Sequence, residues 1–208
     1  MVQMPVPQEI PRRYTVEEYL ALERSTPDRH EYRDGQIVNL GQVISMAGGA
    51  VNHSLTIANT TGALWNRLKG GPCRVHDSNL RVRIARKVLY AYPDVSVICG
   101  PVQIDDDRSA GETATNPRLI VEVLSPGTEA YDRGEKFTRY REIPSLEEYV
   151  LISIDRALVE TYVRQADGTW LFSAVTGLEA VAYLRSLQIE LPLAEVYAGV
   201  EFPPESQR

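Results

Sequence analysis

Two carboxylates stand inside segments that otherwise read as buried strands. Asp94 lies in Tyr92-Pro93-Asp94-Val95-Ser96-Val97, and Glu122 lies in Leu119-Ile120-Val121-Glu122-Val123-Leu124. Segments apolar on both faces belong at the centre of a sheet. An acid placed there carries a desolvation cost unless something pairs with it. Brought side by side on neighbouring strands, the two acids could share one partner, and a hard divalent cation suits two oxygen donors. The competing structural reading has Asp94 accepting backbone N–H groups after Pro93, with Glu122 paired to an arginine.

The chain has 208 residues, 43% of them hydrophobic and 24% charged, which suits one globular domain. We expect a flexible, proline-containing arm over 1–13, one domain over 14–200, and a tail over 201–208. There is no apolar run of membrane-spanning length and no signal-peptide pattern at the N-terminus. Cys73 and Cys99 are too few for a disulfide framework or a structural zinc site. Reduced thiols and a cytoplasmic location are therefore expected. The net charge of −6 argues against general coating of DNA phosphates, although a local basic groove is compatible with it. Arg81, Arg83, Arg86 and Lys87 form one candidate cluster, or else a solvated strand face.

Thr15 and Glu18 fit a capping box that opens a helix over about 15–24. Asp34-Gly35 is a two-residue turn signal, so residues 31–40 read as a β-hairpin. Residues 43–46 read as a further strand. A long helix then runs from Gly48-Gly49 to about Leu68, with an apolar stripe on Leu55, Ala58, Gly62, Trp65 and Leu68. Residues 73–84 alternate as a single half-buried strand, and strands at 94–99 and 118–124 are central. Asp105-Asp106-Asp107-Arg108-Ser109 reads as an exposed loop. A helix over about 129–142 follows, and the strand after it, over 148–154, returns parallel by a crossover. A hairpin turns at Ala166-Asp167-Gly168, and a short helix falls near 192–197. The class is α/β or α+β: a mixed sheet flanked by helices, with an N-terminal antiparallel hairpin.

Asp94 and Glu122 lead the candidate residues, because on adjacent strands their side chains reach one face. Oxygen ligands favour Mg²⁺ or Mn²⁺. Lys136 follows on the next helix and could reach back over the acids to orient water or offset developing charge. Its plainer reading is an (i, i+4) pair with Asp132. Glu31 is a further acidic candidate, whereas Asp34 is explained by its turn. His53, in the first turn of the long helix, reads as structural or solvated. Three histidines without metal-like spacing make zinc a poor candidate, and Ser125 lacks a nucleophile elbow.

These residues resemble the PD-(D/E)XK nuclease superfamily. Nearly the whole chain, from Tyr14 to Val200, is similar to the Uma family of putative restriction endonucleases. The matching pieces are Tyr14–Tyr19, Glu31–Gly35, Met46-Ala47-Gly48-Gly49 with His53, Pro93-Asp94-Val95, and Val121-Glu122-Val123-Leu124-Ser125-Pro126. Asp132, Lys136, Tyr140 and Glu148-Tyr149 complete the pattern. The resemblance implies a restriction-endonuclease-like core with Glu31, Asp94 and Glu122 holding the metal. The Val123 carbonyl would assist them. Its motif lysine falls at Leu124, so Lys136 becomes the substitute.

Two functions remain open at this point. One is a Mg²⁺- or Mn²⁺-dependent endonuclease cutting double-stranded DNA, in which Asp94, Glu122 and Lys136 carry the chemistry. The other is a degenerate nuclease fold that binds nucleic acid or a protein partner without cleavage. A homodimer would supply the two sites that duplex cutting needs, with the strand at 148–154 and the following hairpin as contact surfaces.

Overall fold

The structure is a computed structural model that describes residues 12–39, 49–84, 89–105 and 113–204. The strand expected at 43–46, the Met46-Ala47-Gly48 piece, Arg86, Lys87 and residues 106–109 lie outside them.

Helix α1 (Val16–Ser25) carries both reciprocal bonds of the capping box: the Glu18 amide donates to the Thr15 hydroxyl, and the Thr15 amide donates to the Glu18 carboxylate. Strands β1 (His30–Arg33) and β2 (Gln36–Asn39) form the expected hairpin. At its turn Asp34 and Gly35 take φ values of 46° and 91°. Both lie in the left-handed region that a type I′ turn requires. After α2 (Gly49–Leu68) come β3 (Cys73–Asp77), β4 (Arg81–Ile84), β5 (Leu89–Ala91), β6 (Val95–Cys99), β7 (Thr113–Ala114) and β8 (Leu119–Leu124). A helical run of α3 (Glu129–Tyr131), a π-helical turn (Asp132–Lys136) and α4 (Phe137–Tyr140) leads to β9 (Glu148–Ser153). Strands β10 (Leu158–Arg164), β11 (Trp170–Thr176), β12 (Val181–Leu184) and β13 (Ile189–Pro192) and helix α5 (Leu193–Val196) close the chain.

The central sheet has the order β11-β10-β9-β8-β6-β3. It is mixed, because β9 runs parallel to β8 while its other neighbours pair antiparallel. A second sheet, β2-β1-β5-β4-β7, and a β12–β13 ribbon complete the strands. One face of the central sheet packs Val95, Val121, Val123 and Val150 against Leu64 of α2 and Val196 of α5. The other packs Ile120, Leu124, Tyr149 and Leu151 against Tyr140 of α4 and against Val82, Ile84 and Leu89 of the second sheet. Among the described residues no helix is long and apolar enough to cross a membrane.

Several expectations need correction. The buried stripe of α2 is Thr56, Thr60, Ala63 and Leu64, whereas Trp65 stays 50% exposed. Two of the four are threonines, which an apolar-periodicity count does not register. Residues 73–84 are two strands in different sheets, divided at 78–80. Arg81 is buried, donating to Thr113 Oγ1 and lying 3.8 Å from Glu23, and Arg83 pairs with Asp105. The described half of the basic cluster is therefore internal pairing. Strand β9 lies between β8 and β10, so it offers no free edge. Cys73 and Cys99 face each other in the β3–β6 register and form a disulfide, contrary to the expectation of reduced thiols.

Candidate active site

The antiparallel register that pairs Val95 with Val121 brings Asp94, one residue before β6, alongside Glu122 in β8. Asp94 accepts the Val123 backbone N–H at 2.7 Å, so part of the structural reading of this residue is realised. Among the described residues no arginine pairs with Glu122. Its Oε1 receives the Tyr140 hydroxyl at 3.0 Å and lies 2.9 Å from Lys136 Nζ. Glu122 shares its strand face with Ile120 and Leu124, the face that α4 covers. The side chain at 124 is thus packed into the apolar core, and the covering helix delivers a lysine to the acid instead.

That delivery depends on a π-helical turn. A wider i→i+5 turn admits an extra residue and reorients the side chains around it, which is why such turns recur at functional sites. Here both ends of the turn, Asp132 and Lys136, are buried. Lys136 Nζ lies 3.4 Å from Asp132 and 3.4 Å from Glu31 as well as close to Glu122. The (i, i+4) pair and the reach over the acids are therefore both present. Glu31 enters from β1 of the second sheet and is 1% exposed. Its Oε1 has no hydrogen-bond partner among the described residues.

Sequence reasoning read His53 as structural or solvated and did not place it beside Asp94. From α2 its Nε2 sits 2.9 Å from the Val123 carbonyl oxygen and 3.6 Å from Asp94 Oδ2. Its place beside Gly48-Gly49 in the resembling pattern was the one signal. Asp132, expected as a partner of Lys136 and as part of the resembling pattern, belongs to the cluster itself.

Burial pushes the Glu122 carboxyl well above its usual range; Lys136 opposes the rise, and Asp94 and Asp132 add to it. Asp94 is raised for the same first reason, with His53 and Lys136 opposing. Burial disfavours the Lys136 ammonium, but Glu122 and Glu31 outweigh it and keep the group cationic well above its ordinary value. The cluster lines a cavity of about 630 Å³ whose walls include Arg29, Arg33, Ser125 and Tyr131.

The donors are all oxygens, from Glu31, Asp94, Glu122 and the Val123 carbonyl, a set that suits a hard cation. Among the described residues no three acidic or histidine side chains converge into a ready metal cage. The point where three carboxylates meet is taken by Lys136 Nζ.

A family model described as "Putative restriction endonuclease", Uma2, matches residues 16–194. The chain belongs to the Uma2 family. Two Synechocystis sp. proteins, both named as uncharacterised, resemble it along most of their length. Protein slr1290 is 39% identical over 189 residues, spanning 89% of this chain and 92% of that one. Protein sll1609 is 34% identical over 166 residues, spanning 80% and 89%. A crystal structure from Anabaena variabilis, described as a putative nuclease belonging to DUF820, superposes with a TM-score of 0.66 at 17% identity. It covers 88% of this chain and 98% of that one, which establishes a shared fold. Membership of a family described as putative restriction endonucleases supports a nuclease function for the chain.

Proposed function

We propose that this Uma2 chain is a divalent-cation-dependent DNA endonuclease that hydrolyses phosphodiester bonds at the Glu31–Asp94–Glu122–Lys136 cluster. The observation that carries the reading is Lys136: it comes from a helix, yet its Nζ stands 2.9 Å from Glu122. A lysine missing from position 124 is thus replaced in space, which favours a working site over a degenerate one.

Glu31, Asp94, Glu122 and the Val123 carbonyl would hold Mg²⁺ or Mn²⁺. When bound, such an ion supplies charge for the phosphoryl oxygens and an acidified water. Five carboxylates (Asp28, Glu31, Asp94, Glu122 and Asp132) and three cations (Arg29, Arg33 and Lys136) line the cavity. With every group ionised the cluster is left two charges negative, which one divalent cation cancels. Lys136 keeps its proton at Nζ, so it acts as a donor and a charge, orienting water and offsetting charge on the transition state. His53 holds the Val123 carbonyl and so fixes the backbone between Glu122 and Leu124.

Plasmid, linear duplex and single-stranded DNA incubated with Mg²⁺ or Mn²⁺ test the reading. The wild type should cut, duplex DNA above all, and Asp94→Asn should lower the rate by at least about 100-fold without loss of fold, the scale of removing a key electrostatic group. Full activity in that variant would overturn the assignment.

A further inference from the structure

A DNA substrate would bring negative charge of its own into the cavity. Lys136 is already shared among three carboxylates. Of the cavity's other cations, Arg29 donates to the Ser78 carbonyl at 2.6 Å and to the Ser78 hydroxyl at 3.0 Å. Arg33 is different. It lies two residues after Glu31 on β1, and the period-two alternation of a strand sends both side chains to the cavity side. Tyr32, between them, turns instead into a cluster with Tyr19 and Tyr90.

The Arg33 guanidinium stacks on the Tyr131 ring, 3.9 Å from its centroid. Stacking fixes the guanidinium plane while leaving its N–H edge free to donate. Its nearest carboxylate contact is loose, 3.8 Å from Nε to Glu31 Oε2. Arg33 Nε and the Tyr131 hydroxyl are both buried, and neither has a hydrogen-bond partner among the described residues. Buried donors are ordinarily satisfied, so two orphans side by side in the wall of one cavity point to an absent acceptor. A planar fork of N–H groups beside a hydroxyl matches the non-bridging oxygens of a phosphate.

We infer that Arg33 and Tyr131 form a phosphate-binding subsite that seats the DNA backbone against the Glu31–Asp94–Glu122 cluster. The inference rests on the nuclease reading but is separable from it. Tyr131 directly precedes Asp132, the first residue of the π-helical turn. The same local geometry therefore sets both the phosphate seat and the ammonium of Lys136.

The test measures binding of a labelled oligonucleotide duplex in Ca²⁺ and its cleavage in Mn²⁺, for wild type, Arg33→Gln, Arg33→Lys and Tyr131→Phe. Melting curves and Mn²⁺ titrations accompany each variant. Arg33→Gln should weaken DNA binding and raise KM by roughly 10- to 100-fold, the scale of a lost hydrogen bond to a charged group. Its Mn²⁺ affinity should stay within about threefold of wild type, because Arg33 holds no metal ligand tightly. Tyr131→Phe should show a smaller KM effect in the same direction, and Arg33→Lys should recover only part of the loss. A wild type that cuts, with Arg33→Gln and Tyr131→Phe folded and unchanged in KM, would overturn the subsite and leave the nuclease reading standing. A wild type that neither binds Mn²⁺ nor cuts would overturn the nuclease reading, and the subsite with it.

Discussion

At Lys136 three carboxylates converge on one ammonium, and each depends on it for neutralisation. Removing that charge leaves buried acids unpaired. Lys136→Met should therefore destabilise the fold by about 3–5 kcal/mol at neutral pH. Chemical denaturation should show the penalty shrinking as the pH is lowered and the acids take up protons. An unchanged midpoint at neutral pH would mean that the acids are neutral already. Glu122 gives the sign of the wider pH response. Its native carboxyl titrates above the unfolded value near 4.5, so between those two points the folded form holds a proton that the unfolded chain has released. Stability from this group is present in acid and declines as the pH rises through that window. A cation that binds the ionised form competes with this proton, so its affinity should rise with pH.

The π-helical turn is the element on which the site depends. It contains Gly134, where an added Cβ would meet no atom within 4 Å, so neither crowding nor a close contact explains that residue. The turn's value lies in its extra residue. Deleting Gly134 should restore regular α-helical spacing between Tyr131 and Phe137 and swing Lys136 away from Glu122. Helical content by circular dichroism should persist while cleavage falls at least as far as in Lys136→Met. Retained cleavage would show that the turn is incidental. Regular elements with local signals were legible beforehand: the Thr15/Glu18 capping box and the Asp34-Gly35 turn state their geometry within a few residues. The π-turn has no such signal, because Asp132 to Lys136 scans as ordinary helix.

At the scale of the molecule, the site is assembled from both sheets and two helices. Asp94 and Glu122 were visible as acids in apolar strands, since the cost of burying them implies a partner. Lys136 and Glu31 were legible mainly through the resemblance. His53 and the burial of Arg81 were not, because each depends on packing between segments far apart in the chain. The proposed duplex cleavage would need two active sites, and a homodimer joined along β11 is the arrangement we propose to supply the second. That strand edges the central sheet, bears no charged side chain, and leaves Leu171 and Phe172 exposed at 43% and 50%. An uncharged open edge favours pairing with another strand. Sedimentation should report a dimer for the wild type and a monomer for Phe172→Lys. A monomeric wild type would remove the dimer while leaving the single site intact.

In the proposed reading Asp94 and Glu122 are poised for a divalent cation. Calorimetric titration of Mn²⁺ into the wild type and into Asp94→Asn, at mildly acidic and mildly alkaline pH, tests it most directly. The wild type should bind the ion, more tightly toward alkaline pH, and the variant should not bind it. Equal binding by both proteins, or none by the wild type at millimolar ion, would contradict that reading.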